Sequence, residues 1–391
     1  VSSAPYSNPT LMIIAGEVSG DIHGGKLVRE IKKLNPAIAF FGTGGEQMRA
    51  EGVDLIHDLN DLAVLGLVEV IRHYPRIRSI FYEMIECAHQ RKPDAVILID
   101  YPGFNIRIAE HLKKLGIPVI YFISPQIWAW GQHRKKVISQ RVDKMLVFFD
   151  FEKQFYSDTG LDVEFVGHPL VEHLVPEISR ESFIASHDLD PDRPLLGLLP
   201  GSRKNEIERL LPVMLESARE IYQAMPEVQF VLPVGSAIPR GQLMGIYEQW
   251  KESNTVPVTL IDGQVHETMA YSDLVLVASG TATLETACLG TPMIILYKVN
   301  VITSLCARLV IKIPYIGLVN VVAGRIVAPE FLQHNARPSK IAACAMEYLS
   351  HPETMIDFKN ELKRVKQKLG GPGALQRAAQ SIMTFLHNRK H

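Results

Sequence analysis

Residues 272–297 read SDLVLVASGTATLETACLGTPMIILY. An apolar strand over Leu274–Ala278 stops at Ser279-Gly280-Thr281-Ala282-Thr283. A helix then opens with Glu285 in its first turn, and a second strand follows Gly290-Thr291-Pro292. A strand that ends in a small-residue turn and opens a helix makes an anion site. The first backbone N–H groups have no helical partner, and the helix dipole favours negative charge there. Gly280 admits close approach of a phosphate, and Thr281 and Thr283 carry hydroxyl donors. The Glu285 carboxylate cannot face the same phosphate, but it is suited to accept both hydroxyls of a neighbouring ribose. The stretch reads as the seat of a nucleoside diphosphate carrying a sugar. The competing reading is an ordinary capped α/β turn with a surface glutamate.

Working outward, the same strand-then-helix rhythm fills the chain. Strands are expected at Leu11–Ala15, Ala37–Gly42, Ala95–Ile99, Val119–Ile123, Met145–Phe149 and Val163–Val166. A second set follows at Leu195–Leu199, Gln229–Val234, Val258–Ile261, Leu274–Ala278 and Met293–Tyr297. Continuous rather than alternating apolar strands indicate parallel sheets covered on both faces. The fold class is α/β: two Rossmann-like, doubly wound domains facing a cleft, with C-terminal helices. The expected divisions are a disordered lead-in over 1–10, a first domain over 11–175, a second over 176–350, and terminal helices over 351–391, with their packing back on the first domain left open. Ligands in such sheets sit outside the carboxyl ends of the strands.

Bulk properties narrow the function. The 391 residues carry a net charge of −1, which gives no basic excess for nucleic-acid binding. The four cysteines (Cys87, Cys288, Cys306 and Cys344) are far apart and form no metal-ligand spacing or disulfide framework, so a reducing, cytosolic compartment is expected. No window reaches the ~20 apolar residues of a membrane-spanning helix. The segment 62–71, LAVLGLVEVI, is apolar except for Glu69 and is followed by Arg72, His73, Arg76 and Arg78. It reads either as a core helix or as an interfacial one, with Leu62, Val64, Leu65, Leu67, Val68, Val70 and Ile71 as the membrane contacts.

Further motifs close the other strands. Gly16-Glu17-Val18-Ser19-Gly20-Asp21-Ile22-His23 follows the first strand. It matches no dinucleotide or Walker phosphate loop, and Glu17 would repel a pyrophosphate, so a sugar ligand suits it better. Ser19 or Asp21 is expected to cap the helix. Asp100 ends an apolar strand, where partial desolvation raises a carboxyl pKa and strengthens it as a base. Ser124-Pro125-Gln126-Ile127-Trp128-Ala129-Trp130 offers indoles for stacking or packing, ahead of the basic run His133-Arg134-Lys135-Lys136. Gly201-Ser202-Arg203 follows a strand, and Arg203 suits bidentate phosphate contact. Asn320, expected in a loop, is a weaker candidate for a base or phosphate. Asp188-Leu189-Asp190 is a formal DxD pattern, but it precedes a strand and is assigned no metal.

AGEVSGD (15–21), LGLVEV (65–70), IDYPGFN (99–105), SPQIWAW (124–130), VGHP (166–169), LLPGSR (198–203), ASGTATLE (278–285) and LVN (318–320) together resemble the lipid-A-disaccharide synthase family over nearly the whole chain. The resemblance implies a GT-B glycosyltransferase with no metal and no cofactor. It implies transfer of 2,3-diacylglucosamine from its UDP-linked donor to 2,3-diacylglucosamine 1-phosphate, giving a β-1,6 disaccharide 1-phosphate and UDP. It further implies peripheral attachment at the cytoplasmic face of a Gram-negative-type inner membrane. The oligomeric state is left open, a homodimer included. The chain departs from the family at Gly103, where many members carry an acid, so Asp100 acts alone in its loop.

The expected machinery is Asp100 as base, with Glu17 beside it. Ser19, Gly20, Asp21, His23 and Gln126 line the acceptor side. Gly201, Ser202, Arg203, Gly280, Thr281, Ala282, Thr283, Glu285 and Asn320 hold the nucleotide-sugar. The alternatives are a UDP-sugar 2-epimerase of the same fold and a non-enzymatic lipid- or nucleotide-binding module.

Overall fold

The structure, a computed structural model, describes residues 9–62, 67–235, 238–300 and 314–389. The chain forms two compact units. One comprises the residues up to Pro169 together with those from Gly370 onward, and the other is Leu170–Leu369.

The first unit holds a seven-stranded sheet of β1 (Thr10–Ala15), β2 (Ala39–Gly44), β3 (Val53–Asp58), β4 (Ala95–Ile99), β5 (Val119–Phe122), β6 (Lys144–Val147) and β7 (Asp162–Phe165). Its order is β3-β2-β1-β4-β5-β6-β7, and every pairing is parallel. The second unit holds a six-stranded sheet of β8 (Leu195–Leu199), β9 (Gln229–Val234), β10 (Val258–Asp262), β11 (Leu274–Ala278), β12 (Met293–Tyr297) and β13 (Glu330–Leu332). Its order is β10-β9-β8-β11-β12-β13, again all parallel. Central strands β4, β8 and β11 are buried along their whole length, as unbroken apolar runs require.

Two strands lie outside the sequence expectation, and both are edges. In β3, VDLIHD, only Val53 is fully buried, and polar residues interrupt the apolar signal. The β13 strand is three half-buried residues, too short to stand out. The strand order reverses between β1 and β4 in the first sheet and between β8 and β11 in the second. At such a switch point the flanking loops diverge and leave a crevice beyond the carboxyl ends.

The unit limits also differ from those read in the sequence. The helix Pro352–Lys368 stays with the second unit, where Lys366 Nζ donates to the Cys288 carbonyl at 2.8 Å. The helix Ala374–Arg389 packs on the helix Val18–Leu34 of the first unit and buries Leu375, Ala378, Ala379, Ile382 and Leu386. Arg377 Nε donates to the Val166 carbonyl at 2.9 Å. Gly370, at φ +83°, lies so close to Gly167 that a Cβ would sit 3.1 Å from the Gly167 Cα.

Among the described residues no helix is long and apolar enough to cross a membrane. Residues 1–8 of the expected lead-in lie outside the described residues, as do Val64 and Leu65. The side chains of Leu62, Leu67, Val68, Val70 and Ile71 also lie outside them.

Candidate active site

The loops at both switch points carry most of the candidate residues. In the first unit, β1 runs through Gly16 into the helix Val18–Leu34, whose N-cap is Glu17 in an extended conformation with no side-chain cap bond. Ser19 and Asp21 are therefore inside the helix, and neither caps it. Glu17 and Ser19 are exposed, whereas Gly20 is buried with its Cα hydrogens close to Ala15. Asp21 is only 4 % exposed, and its carboxylate accepts the backbone N–H groups of Gly45 (2.7 Å), Met48 (3.0 Å) and Gln47 (3.0 Å). The expected role for Asp21 in the acceptor loop gives way to a structural one, because three backbone N–H donors hold its buried carboxylate. His23 is half-buried and edge-on to Phe148 with ring centroids 5.4 Å apart.

Next to this loop, β4 ends at Asp100. Both Asp100 and Tyr101 adopt φ 44°, two consecutive non-glycine residues in the left-handed region. Such conformations cost about 1–3 kcal/mol each and persist only where the surroundings hold them. The holders are visible. The fully buried Tyr121 hydroxyl donates to the Asp100 carbonyl at 2.5 Å. The fully buried Asn105 amide donates to the same carbonyl at 2.9 Å and to the Ile99 carbonyl at 3.1 Å. The Tyr101 ring closes over Gly16, where a Cβ would lie 2.2 Å from the ring. Burial, and secondarily the Glu17 charge, push the Asp100 carboxyl up to about 6. A carboxylate so placed is a stronger base than an exposed one and still ionised near neutral pH.

The 124–130 loop divides its roles. Trp128 is buried, and its Nε1 donates to the Glu152 carboxyl at 3.2 Å, so this indole packs. Gln126 and Trp130 are exposed. Glu152 also accepts the Phe149 N–H at 3.2 Å, and burial pushes it up to about 8, keeping it protonated at neutral pH. His168, between Phe148 and Phe149, is pushed down to about 4 by burial, and secondarily by His23, and stays neutral.

In the second unit, β8 ends at Gly201-Ser202-Arg203 before the helix Lys204–Ala224. Gly201 has φ +99°, and a Cβ there would meet Glu206 Oε2 at 2.4 Å. Glu206 accepts the Ser202 and Arg203 N–H groups at 3.3 Å each and pairs with Arg203 Nη1 at 2.9 Å. Arg203 is 83 % exposed, so a solvated pair of this kind yields readily to a stronger anion. Beyond β11, Gly280 caps the helix Thr281–Leu289, and a Cβ on it would meet no protein atom within 4 Å. Thr281 is exposed and Ala282 half-buried. Thr283 is buried, its hydroxyl donating to the Gly280 carbonyl at 2.8 Å. It shapes the turn, and the expected free donor there is absent. Glu285 sits in the second helical turn, not the first, and burial raises its pKa while nearby His266 opposes the shift.

Asn320 is the clearest departure. It lies in the helix Leu318–Ala323, fully buried. Its Nδ2 donates to the Ala328 carbonyl and to Glu330 Oε1 at 2.8 Å each, and its Oδ1 accepts from Val327 (2.7 Å) and Ala328 (2.9 Å). The saturated amide leaves no side-chain group over for a base or phosphate. Among the described residues no cluster of His, Cys, Asp or Glu could hold a metal ion, the DxD carboxylates included.

Sequence reasoning passed over Tyr101, Asn105, Tyr121, Glu152, Glu206 and His266. Only Glu206 had a local signal, a carboxylate three residues into a helix after Arg203. The others stand out only through the contacts that the fold gives them.

The lipid-A-disaccharide synthetase family model matches residues 11–382. A lipid-A-disaccharide synthase from Trichlorobacter lovleyi is 42% identical over 376 residues, spanning 96% of this chain and 97% of that one. Another from Syntrophus aciditrophicus is 43% identical over 376 residues with the same coverage. Among solved structures, the UDP-GlcNAc 2-epimerase from Neisseria meningitidis bound to UDP-GlcNAc gives a TM-score of 0.63 at 14% identity, covering 96% of this chain and 100% of that one. Acinetobacter baumannii MurG gives 0.58 at 15% identity, covering 96% and 99%. At such identities the likeness shows a shared fold alone, and the epimerase alternative gains nothing more from it.

Proposed function

This chain belongs to the lipid-A-disaccharide synthase family, and from that premise we propose how its residues divide the reaction. It is a glycosyltransferase that moves 2,3-diacylglucosamine from its UDP-linked donor to 2,3-diacylglucosamine 1-phosphate. In our reading the second unit holds the UDP. The helix-start N–H groups at Thr281 and Ala282 and the Arg203 guanidinium face the diphosphate, and Glu285 accepts the ribose hydroxyls. Charge builds on the leaving diphosphate as the anomeric C–O bond breaks, and preoriented donors stabilise it there.

On the first unit, Asp100 takes the proton from the acceptor 6-hydroxyl as that oxygen bonds the anomeric carbon. Glu17 supplies the neighbouring charge that helps keep the Asp100 proton affinity high. A single in-line displacement inverts the anomeric centre and releases UDP. The observation that carries the assignment is the Asp100 carboxyl itself, raised to about 6 at the sheet's switch point beside Glu17. Ser19, His23 and Gln126 border this edge and contact the acceptor.

UDP release measured with synthetic acylated donor and acceptor tests the proposal. Release that needs both substrates supports transfer, and release independent of the acceptor overturns it. We propose further that the apolar 62–71 segment meets the cytoplasmic face of the inner membrane. Serine at Val64, Leu65 and Val68 should reduce co-sedimentation with anionic vesicles, and unchanged partitioning sinks that assignment.

A further inference from the structure

We propose that Tyr121 and Asn105 are positioning residues for the transfer reaction, locking the strained turn that presents Asp100. This rests on the reading of Asp100 as the base.

Two successive left-handed residues at φ 44° end β4, and neither is a glycine. An unconstrained Asp-Tyr pair relaxes out of that region. Here the relaxation is blocked from two sides. The Asp100 carbonyl accepts one hydrogen bond from Tyr121, which projects from the neighbouring strand β5, and another from Asn105 in the helix Pro102–Lys114 that follows the turn. The Asn105 amide also bridges to the preceding carbonyl, Ile99, so one side chain pins two consecutive peptide groups.

Both side chains are fully buried. With no exposed surface, each acts through the turn rather than on substrate. The Asn105 Oδ1 atom is buried with no hydrogen-bond partner. A buried amide with an unsatisfied oxygen is costly to keep, and its retained function is the donor side facing the turn. Burial also raises the Tyr121 phenol well above its usual range, so it remains a donor at any working pH. The whole arrangement sets how deeply the Asp100 carboxyl is withdrawn from water, and that withdrawal is the main cause of its raised proton affinity.

The test is Tyr121→Phe, which removes one oxygen and keeps the ring packing. Turnover should fall about tenfold or more, with KM for donor and acceptor nearly unchanged. The acidic limb of the kcat–pH profile, expected near pH 6, should move towards the ordinary carboxylate range as the turn loosens. Asn105→Ala should act in the same direction, with thermal unfolding recorded alongside to show that the protein folds. A lower rate with an unmoved acidic limb means a merely structural role and overturns the proposal, as does an unchanged rate. Asp100→Asn separates the two layers. If it retains normal turnover, the base assignment itself fails. If it is inactive while Tyr121→Phe behaves as the unaltered protein, only the positioning claim fails.

Discussion

Residues at the first switch point that look alike in sequence sit in opposite environments. Glu17, Asp21 and Asp100 are three carboxylates near strand ends. Asp21 is consumed by three backbone donors. Asp100 is left partly desolvated and raised to about 6. Replacing Asp100 with Ala should lower kcat by about 10²–10⁴-fold, the range for a lost general base, while UDP affinity stays the same. A base must be deprotonated, so activity should rise with pH through about 6. Glu17→Gln removes the neighbouring negative charge, which lowers the Asp100 pKa and should shift that acidic limb to lower pH. A kcat–pH series on the unaltered protein and the two variants checks these points.

At the scale of elements, the loops at strand ends are held by side chains from neighbouring helices. In the second unit, Gly201 combines φ +99° with a Glu206 oxygen 2.4 Å from any added Cβ. Gly201→Ala should therefore disorder the Ser202–Arg203 turn and weaken UDP binding by about tenfold, readable by calorimetry. In the first unit, Glu152 ties the 124–130 loop to the helix Asp150–Phe155 through Trp128 and Phe149. Its folded pKa of about 8 lies above the usual 4.5, so the folded state binds the extra proton. This stabilisation is complete below pH 4.5 and is lost as pH rises through about 8, by up to about 1.4 kcal/mol per pH unit. Glu152→Gln keeps one of the two acceptor oxygens, replaces the other with an amide donor and removes the titration. Its melting temperature should vary less across that window and exceed the unaltered protein's at the alkaline end.

At the scale of the whole molecule, the chain leaves the first unit at Pro169 and returns at Gly370. The last helix is part of the first core. Besides its buried aliphatic face, Arg389 pairs with Asp143 at 3.1 Å and Ser381 bonds Glu164. Each fully buried large aliphatic side chain contributes about 1.5–3 kcal/mol, so ending the chain at Leu369 should selectively unfold the first unit. Hydrogen exchange should then show β1–β7 losing protection while β8–β13 keep theirs. Equal protection in both units would contradict the assignment of that helix.

The sequence by itself determined the parallel α/β architecture and its duplication, because continuous apolar strands and small-residue turns are local signals that survive without a tertiary context. It also located the four loops after β1, β4, β8 and β11, since each follows directly from an apolar run. The edge strands β3 and β13 lacked that signal, being short or half-exposed. Only the tertiary structure decided which polar residues were free. Asn320 and Asp21 are spent on backbone groups 7 to 27 residues away, and the Asp100 turn is pinned by Tyr121 from the next strand. A hydrogen-bonding group's availability depends on what the fold brings beside it, and that is set by pairing across the sheet, not by its neighbours along the chain.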